Sequence, residues 1–396
     1  MTTRQPTPAA NERGAILVHV AFALLAVMAL SAVVTDFGVL WVGRRQAQNS
    51  ADAGALAGVI ALAFDSPSSV TDTAAARQSA ATVAQRNFVW GQAPSVVPET
   101  DITFGPCPDG VNTCVRVDVF RDQARGNPLP MYFGRLIGLE AQGVRATATG
   151  MVQPANATRC LKPWGLPDKW IENHPTPGPW LPTSTFDAYD KKGKPLANPD
   201  VYIPPSASGP GSGFTVEADF GLRLTLKPSS DPISPGFYNA LQLTGTGGSD
   251  YRYNISHCTE TVWGIGDSIP IEPGNMTGPT GQGARDLIDL DPGATWVGGA
   301  SPIAGSCVTT GGCPAFTVSP RVVAIPVYDV NVFVSEGKDH GRHTTVLVRN
   351  ILGFFVAGVQ GSEPYGYLMT GPGIYEPGGG SVPPESAFLR TVTLVR

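Results

Sequence analysis

Residues 13–64 read RGAILVHVAFALLAVMALSAVVTDFGVLWVGRRQAQNSADAGALAGVIALAF, and this stretch sets the architecture of the chain. It opens with a run from Ala15 to Thr35 that contains no Asp, Glu, Lys or Arg. At about 1.5 Å per residue, a helix of this length reaches roughly 30 Å, which is one bilayer crossing. Because residues 36–64 contain no proline, the helix is predicted to continue out of the membrane to residue 64.

The same run distinguishes a retained anchor from a cleaved signal peptide. A secretory signal has a shorter apolar region that ends in an A-x-A-like cleavage site, whereas this run is longer and continues into helix. We expect a single-pass anchor, with residues 1–13 as a cytoplasmic tail and the bulk of the chain outside the cytoplasm. The basic residues on the two sides of the span are balanced, so this orientation rests on the cysteines and on the Gly- and Pro-rich remainder.

Composition bounds the remaining possibilities. The chain has 396 residues, enough for two or three domains, and a formal net charge of −5. No block of basic residues offers a phosphate-binding surface, which argues against nucleic-acid binding. The 47 glycines and 37 prolines lie mostly beyond residue 150, among recurring Trp, Tyr, Phe and Val, and this mixture predicts turns and short strands rather than disorder.

The six cysteines indicate an oxidising compartment. Six cysteines allow 15 pairings, but two close pairs each flank a turn-forming stretch and one distant pair is left over. Zinc binding is disfavoured because no C-x-x-C and no His pair with ligand spacing is present, and free buried thiols are the remaining alternative. The favoured disulfides are Cys107–Cys114, Cys307–Cys313 and Cys160–Cys258.

The chain divides into four segments: the tail 1–13, the long helix 14–64, a second helix with a small subdomain in 65–151, and a larger domain in 160–396. The second helix is predicted from about Val70 to Asn87. Its alanines match a ladder of small residues on the first helix that includes Ala51 and Ala55. Small residues at four-residue spacing let two helices approach closely, which indicates a helical hairpin or a subunit-packing surface. The helix propensity of alanine is the simpler alternative.

Period-2 alternation after residue 100 predicts strands. Asp101–Phe104 and Val115–Phe120 form a predicted hairpin, Met131–Leu139 a short helix, and Gly143–Thr149 a further strand. A long N-terminal helix on a small antiparallel sheet resembles, by analogy of pattern, the ground plan of pilin-like subunits. In 160–396 a helix is predicted at 281–290, and the strand candidates are 214–218, 222–226, 322–334, 344–359 and 387–395. The predicted class is α+β, with a larger β-rich C-terminal domain.

Asp36 is the most informative polar residue of the helix. A carboxylate inside a membrane segment is a functional-site candidate by default. It precedes Arg44 by eight residues and reaches the headgroup region, so we favour an interfacial or helix-packing role over proton or ion handling. The other chemistry-bearing motifs are missing: the sequence has no G-x-S-x-G, H-E-x-x-H or Walker loop, and Asp286, Asp289 and Asp291 lack calcium-loop spacing. We predict no catalytic, cofactor-binding or metal-binding residue.

The segment R-G-A-x-L-V-x-x-A-x-A-L-L, then D-F-G and W-V-G-R-R-Q-x-Q-N-S-A-D-A-G-A-L-A-G, resembles the N-terminal module of Tad/Flp pilus-assembly proteins of the TadE/TadG type. The match covers residues 13–61, and the remainder of the chain is similar to longer TadG-like proteins. The family positions in register are Gly14, Asp36, Gln48, Asn49, Asp52 and the alanine ladder. The helix-interaction candidates are accordingly Asp36, Gln48, Asn49, Ala51, Asp52 and Ala55.

The resemblance implies a non-enzymatic, inner-membrane-anchored component of the machinery that builds adhesive pili. Its implied partners are other Tad assembly proteins or pilins, with self-association through the N-terminal helix. Gly14 is a candidate processing site, but related pseudopilins carry Glu at the fifth position after the cleaved Gly, where this chain has His19. An uncleaved assembly factor is therefore favoured. The alternative is a membrane-tethered extracytoplasmic enzyme or ligand-binding domain.

Overall fold

The computed structural model describes residues 13–64, 73–107, 110, 113–190, 192–206, 208–230, 233–299, 301–313, 318–334 and 344–395. All but the last residue of the predicted tail 1–13, and the first residues of the predicted second helix, lie outside these ranges. The helices are α1 (Arg13–Phe64), α2 (Ala74–Arg86), α3 (Pro98–Asp101), α4 (Val216–Asp219), α5 (Gly248–Ser256), α6 (Thr277–Asp289) and α7 (Cys307–Thr310), with 3-10 turns at Gly134–Ile137 and Pro384–Ser386.

The strands are short except in the sheet centres. They are β1 (Ile102–Pro106), β2 (Thr113–Arg121), β3 (Leu129–Pro130), β4 (Ala141–Gln142), β5 (Val144–Pro154), β6 (Ala157–Thr158), β7 (Trp164–Pro167), β8 (Arg223–Thr225), β9 (Lys227–Pro228), β10 (Phe237–Ala240), β11 (Trp263–Gly264), β12 (Ser268–Pro270), β13 (Thr295–Trp296), β14 (Ile303–Ala304), β15 (Val322–Tyr328), β16 (Thr345–Gln360), β17 (Glu363–Met369), β18 (Gly371–Pro372) and β19 (Leu389–Val395). This architecture confirms the predicted α+β class.

The first layer is a five-stranded sheet in the order β1-β2-β5-β19-β18, and the C-terminal half of α1 packs on it. Alternate residues of β2 and β5 point at the helix, as period 2 requires, and they form one core with the alanines of α1 and α2. The chain's last strand, β19, pairs with β5 in antiparallel register from Arg390↔Pro154 to Val395↔Thr149. The sheet that begins near residue 102 thus also contains β18 and β19, which lie more than 200 residues later in the chain.

A buried ion pair ties the small helix α3 to this layer. Asp101 is buried and accepts hydrogen bonds from the Val97 N–H at 2.7 Å and from both terminal nitrogens of Arg125 at 2.7 and 3.0 Å. Burial opposes ionisation of this carboxyl, but the Arg125 and backbone hydrogen bonds prevail and hold its pKa below the usual value.

The second layer is an eight-stranded mixed sheet in the order β8-β17-β16-β15-β7-β10-β9, with β12 paired to β16. Most of β15 and residues 350–356 of β16 are buried on both faces, which is typical of a sheet covered on each side. The helices α5 and α6 pack together, and the core beneath them includes Trp164, Tyr251, Leu287 and Phe354. The larger C-terminal part of the chain is β-rich, as predicted, but its predicted strand 387–395 lies in the first layer as β19.

Three local predictions differ from the structure. The predicted strand 214–218 is largely the helix α4, because the Asp219 carboxylate accepts the Thr215 N–H at 2.8 Å and closes a helical turn. The predicted strand 322–334 ends at Tyr328, because Asp329 accepts the Val332 N–H at 3.0 Å and starts a helical turn at 330–334. The predicted helix 131–139 is only a 3-10 turn, which ends at Gly138 with φ 82°.

Candidate functional site

The N-terminal half of α1 projects free of the rest of the chain. Its large apolar side chains are exposed from Ile16 to Val34, whereas Val39 is buried in the first core and Leu40 is partly buried against it. Ile16–Phe64 is long and apolar enough to cross a membrane, with a mean hydropathy of 2.6 in its most apolar window, none of which is buried. A continuous exposed apolar surface of this kind is stable only against another apolar phase.

The C-terminal half of α1 is instead a core element with α2 and the first sheet. A Cβ at Gly54 would lie 2.9 Å from the Ala84 Cβ, and a Cβ at Gly58 would lie 2.9 Å from a methyl of Val115. The Ser50 hydroxyl donates to the Ala84 carbonyl at 2.8 Å across the same seam. The small residues therefore permit close helix approach within the chain, as the helical-hairpin interpretation predicts.

The helix-interaction candidates divide between two environments. Ala51 and Ala55 are completely buried in the seam with α2 and the sheet. Gln48 donates to the Thr147 carbonyl of β5 at 3.1 Å and to Asp52 on its own helix at 2.8 Å, while Asn49 is exposed. Gly14 lies in the first turn of α1.

Asp36 lies at the junction of the two halves, in a cradle made by a distant segment. Its carboxylate accepts backbone hydrogen bonds from Tyr132 at 2.8 Å, from Phe133 at 3.1 Å and from Gly134 at 2.6 Å, and it is only 6% exposed. Successive N–H groups that converge on one anion form a nest. A Cβ at Gly134 would lie 2.7 Å from the Leu139 carbonyl oxygen, so the cradle requires glycine there.

An apolar cleft of about 480 Å³ surrounds this contact. One wall is the exposed part of α1 and the other is the segment 131–139. The lining residues are Ala29, Ala32, Val33, Asp36, Phe37, Leu40, Met131, Phe133, Gly134, Leu136 and Leu139. The arrangement holds a charged carboxylate within an apolar surface without exposing it.

Sequence reasoning missed the segment that holds Asp36. It assigns Tyr132, Phe133 and Gly134 only to a short helix, although Met-Tyr-Phe-Gly-Arg-Leu-Ile-Gly-Leu is unusually apolar for a connection, and this was an available signal. It also missed Arg390, which is buried in β19 and donates to the Ala63 carbonyl at the end of α1 at 3.0 Å. Burial lowers the pKa of Arg390 to about 10.

The ionisable groups buried in the larger domain have structural partners. Lys162 donates to the His257 carbonyl at the end of α5 at 2.9 Å, and burial lowers its pKa to about 7. Asp168 accepts from the Tyr202 hydroxyl and from two backbone N–H groups, and burial raises its pKa to about 6.

The acidic residues around α6 also serve packing. Asp286 forms an ion pair with Arg252 at 2.6 Å, and buried Asp291 accepts from Ser306 and Ser319. Among the described residues, no group of three or more His, Cys, Asp or Glu side chains is placed to hold a metal ion.

All six cysteines are joined in disulfides. The pairs are Cys107–Cys114, Cys160–Cys258 and Cys307–Cys313, the pairing that their spacing favours. The first closes the β1–β2 hairpin and the second links the segment after β6 to the segment after α5. Disulfides persist in oxidising compartments and are rare in reducing ones.

The comparison with known families identifies the N-terminal module. Residues 14–78 match the family described as Putative Flp pilus-assembly TadE/G-like, and this confirms the resemblance drawn from Gly14, Asp36 and the alanine ladder. No curated protein and no solved structure matches the chain. Residues 14–78 therefore resemble the TadE/G-like module of Flp pilus-assembly proteins, and they include the exposed apolar helix that is long enough to cross a membrane.

Proposed function

We propose that this protein is a non-enzymatic structural or assembly component of a Tad (Flp) pilus. The observation that carries the proposal is the dual character of α1, which is an exposed apolar rod over residues 16–34 and a packed core element over residues 47–63. One rigid helix therefore couples a membrane position to a folded, disulfide-linked domain. Such a coupling suits a protein that holds other subunits in register at the membrane.

The proposed location is the inner membrane, with the N-terminus in the cytoplasm and the rest of the chain outside it. The disulfides of both layers support this orientation because they need an oxidising compartment. Alkaline phosphatase, which is active only outside the cytoplasm, tests it directly. A fusion after residue 395 should be active and a fusion at residue 1 inactive, and the reverse pattern would refute the orientation.

We also propose that α1 remains uncut at Gly14 and contacts its partners through its exposed half. His19 takes the place of the carboxylate that related pseudopilins carry. Ala51 and Ala55 are covered by α2 and the sheet within the same chain, so self-association or pilin contact falls to the exposed face formed by residues 16–34. The intact N-terminus would appear in the mass of the purified protein, and a mass starting at Ala15 would contradict the proposal.

Deletion of the gene tests the pilus role itself. We expect loss of piliation and of surface adhesion, restored by the intact chain. A chain whose residues 15–35 are replaced by an unrelated apolar span of equal length is the matched control, because it keeps the anchor and changes only the contact face. Normal piliation in the deletion strain would overturn the proposal and would leave the tethered enzyme or ligand-binding domain as the alternative.

A further inference from the structure

The segment 131–139, here called the cradle loop, follows α1 toward the exposed apolar half of that helix. Just before the cradle loop, Leu129 packs against α1 at Gly43, where an added Cβ would lie 2.5 Å from a Leu129 methyl group. The cradle loop then contacts α1 at Asp36, which accepts the Gly134 N–H, and further on Leu136 lines the same cleft as Val33. From Gly43 to Val33 is ten residues, which at 1.5 Å each is about 15 Å along the helix axis.

Several large apolar or aromatic side chains of the cradle loop are exposed. Tyr132 is 56% exposed, Phe133 43%, Leu136 84% and Leu139 46%. These side chains lie beside the exposed side chains of α1, so the two apolar surfaces are continuous. Aromatic and aliphatic side chains at this level are typical of the boundary between headgroups and acyl chains.

Most backbone N–H groups of the cradle loop already have an acceptor within the protein. The N–H groups of residues 132–134 donate to Asp36, and those of Leu136, Gly138 and Leu139 donate to carbonyl groups of the loop itself. In the hydrocarbon region an unpaired N–H group costs several kcal/mol, so irregular backbone is tolerated there only when its polar groups are paired. For residues 132–134, the acceptor of the N–H groups is the Asp36 carboxylate rather than a backbone carbonyl.

Basic side chains lie next to the apolar surface. Arg135 is exposed between the cradle loop's apolar residues, and Arg44 and Arg45 are exposed on α1 above Asp36. Long basic side chains keep their charge at the headgroup level while their stems lie on apolar surface, and anionic lipids attract them. Glu140 is the acidic residue at the exit of the cradle loop.

We propose that the cradle loop is a second membrane contact, which inserts Phe133, Leu136 and Leu139 into the outer-facing leaflet of an anionic phospholipid bilayer beside α1. Asp36 holds this loop against the helix and is shielded from lipid by it. The contact fixes the depth and rotation of α1 in the membrane, which a lone helix would leave free. The inference rests on the membrane-anchored part of the proposed function and not on the pilus role.

Site-directed spin labelling of the full chain tests the proposal. Because the six native cysteines are all in disulfides, a Leu136→Cys variant carries one reactive thiol, and the exposed side chain tolerates the change. The protein is reconstituted in vesicles of phosphatidylethanolamine and phosphatidylglycerol, and label accessibility is measured to oxygen and to a water-soluble nickel chelate. Val33→Cys is the in-membrane control, and Leu290→Cys, an exposed leucine after α6, is the aqueous control.

We expect the label at residue 136 to behave as at residue 33, with oxygen access at least several-fold higher relative to nickel access than at residue 290. Nickel access at 136 equal to that at 290 would overturn the proposal. Low access of the label to both reagents, together with spectral broadening by a neighbouring label, would also overturn the proposal. That result would show that the cradle loop packs against a second copy of this chain rather than against lipid. A label at residue 33 that is accessible to nickel would refute the proposed membrane anchor. This result differs from nickel access at residue 136 alone, which would refute only the second membrane contact.

Discussion

The contact between Asp36 and the cradle loop yields a quantitative prediction. An Asp36→Ala variant loses the acceptor of three backbone N–H groups at 2.6 to 3.1 Å. One hydrogen bond to a charged group contributes about 1.5–3 kcal/mol. Because the three bonds share one carboxylate and are not additive, we take about 3 kcal/mol for the whole contact. Since each 1.4 kcal/mol is tenfold, local opening of the cradle loop should become about 100-fold more frequent.

Amide hydrogen exchange of the full chain, followed by mass spectrometry, measures this opening directly. The peptide that contains residues 131–139 should exchange about 100-fold faster in the Asp36→Ala variant, while peptides from β16 should be unchanged. Asp36→Asn keeps one side-chain oxygen and should give an intermediate rate. Asp52→Ala is the matched control, since the Asp52 carboxylate accepts a hydrogen bond from Gln48 on its own helix, and it should leave the loop at the wild-type rate.

Two results would refute this reasoning. Equal exchange of the cradle loop in the wild type and in Asp36→Ala would mean that the carboxylate does not hold the loop. Faster exchange throughout the first sheet as well as the loop would mean that Asp36 supports the whole layer rather than one local contact.

Three further predictions concern stability and rest on the same structure. Gly54→Val should destabilise the helical hairpin by about 1–3 kcal/mol through overpacking. The control Gly38→Val, with no heavy atom within 4 Å of its Cβ position, should change the free energy of unfolding by less than about 0.5 kcal/mol. Thermal unfolding of both variants, followed by circular dichroism, measures these effects, and equal destabilisation by the two substitutions would contradict the argument. Replacing Cys160 and Cys258 with serine opens a loop of 98 residues and should cost about 4.7 kcal/mol in the chain-entropy model, so an unchanged urea midpoint would refute it. Asp101→Asn should lower the free energy of unfolding at pH 7 by about 2 kcal/mol. In the folded protein the pKa of the Asp101 carboxyl is lowered, so its contribution to stability is complete above its pKa in the unfolded chain, near 4. That contribution is lost as the pH falls through the pKa of the folded protein. Urea unfolding between pH 2 and 7 should therefore show a smaller acid loss in the variant than in the wild type.

Local patterns predicted those features whose cause is local. The apolar run, the absence of proline and the ladder of small residues gave α1 and its close contact with α2, since helix period and residue size act within a few turns. Alternation gave β2 and β5 because one face of each strand is buried and the other is only partly buried. The same reasoning failed at Asp219 and Asp329, where a single side-chain carboxylate caps a helical turn and overrides an apolar alternation.

Residue patterns alone were enough to establish one long apolar helix, small residues along its second half, cysteines spaced for disulfides, and a Tad-like N-terminal module. Long-range packing, by contrast, returns β19 to the first sheet and brings Arg390 to the end of α1. The same packing pairs Asp36 with the backbone of residues 132–134, about a hundred positions later in the chain. Backbone N–H groups carry no signature in the sequence, so a carboxylate that they satisfy can be recognised only when the fold brings them together.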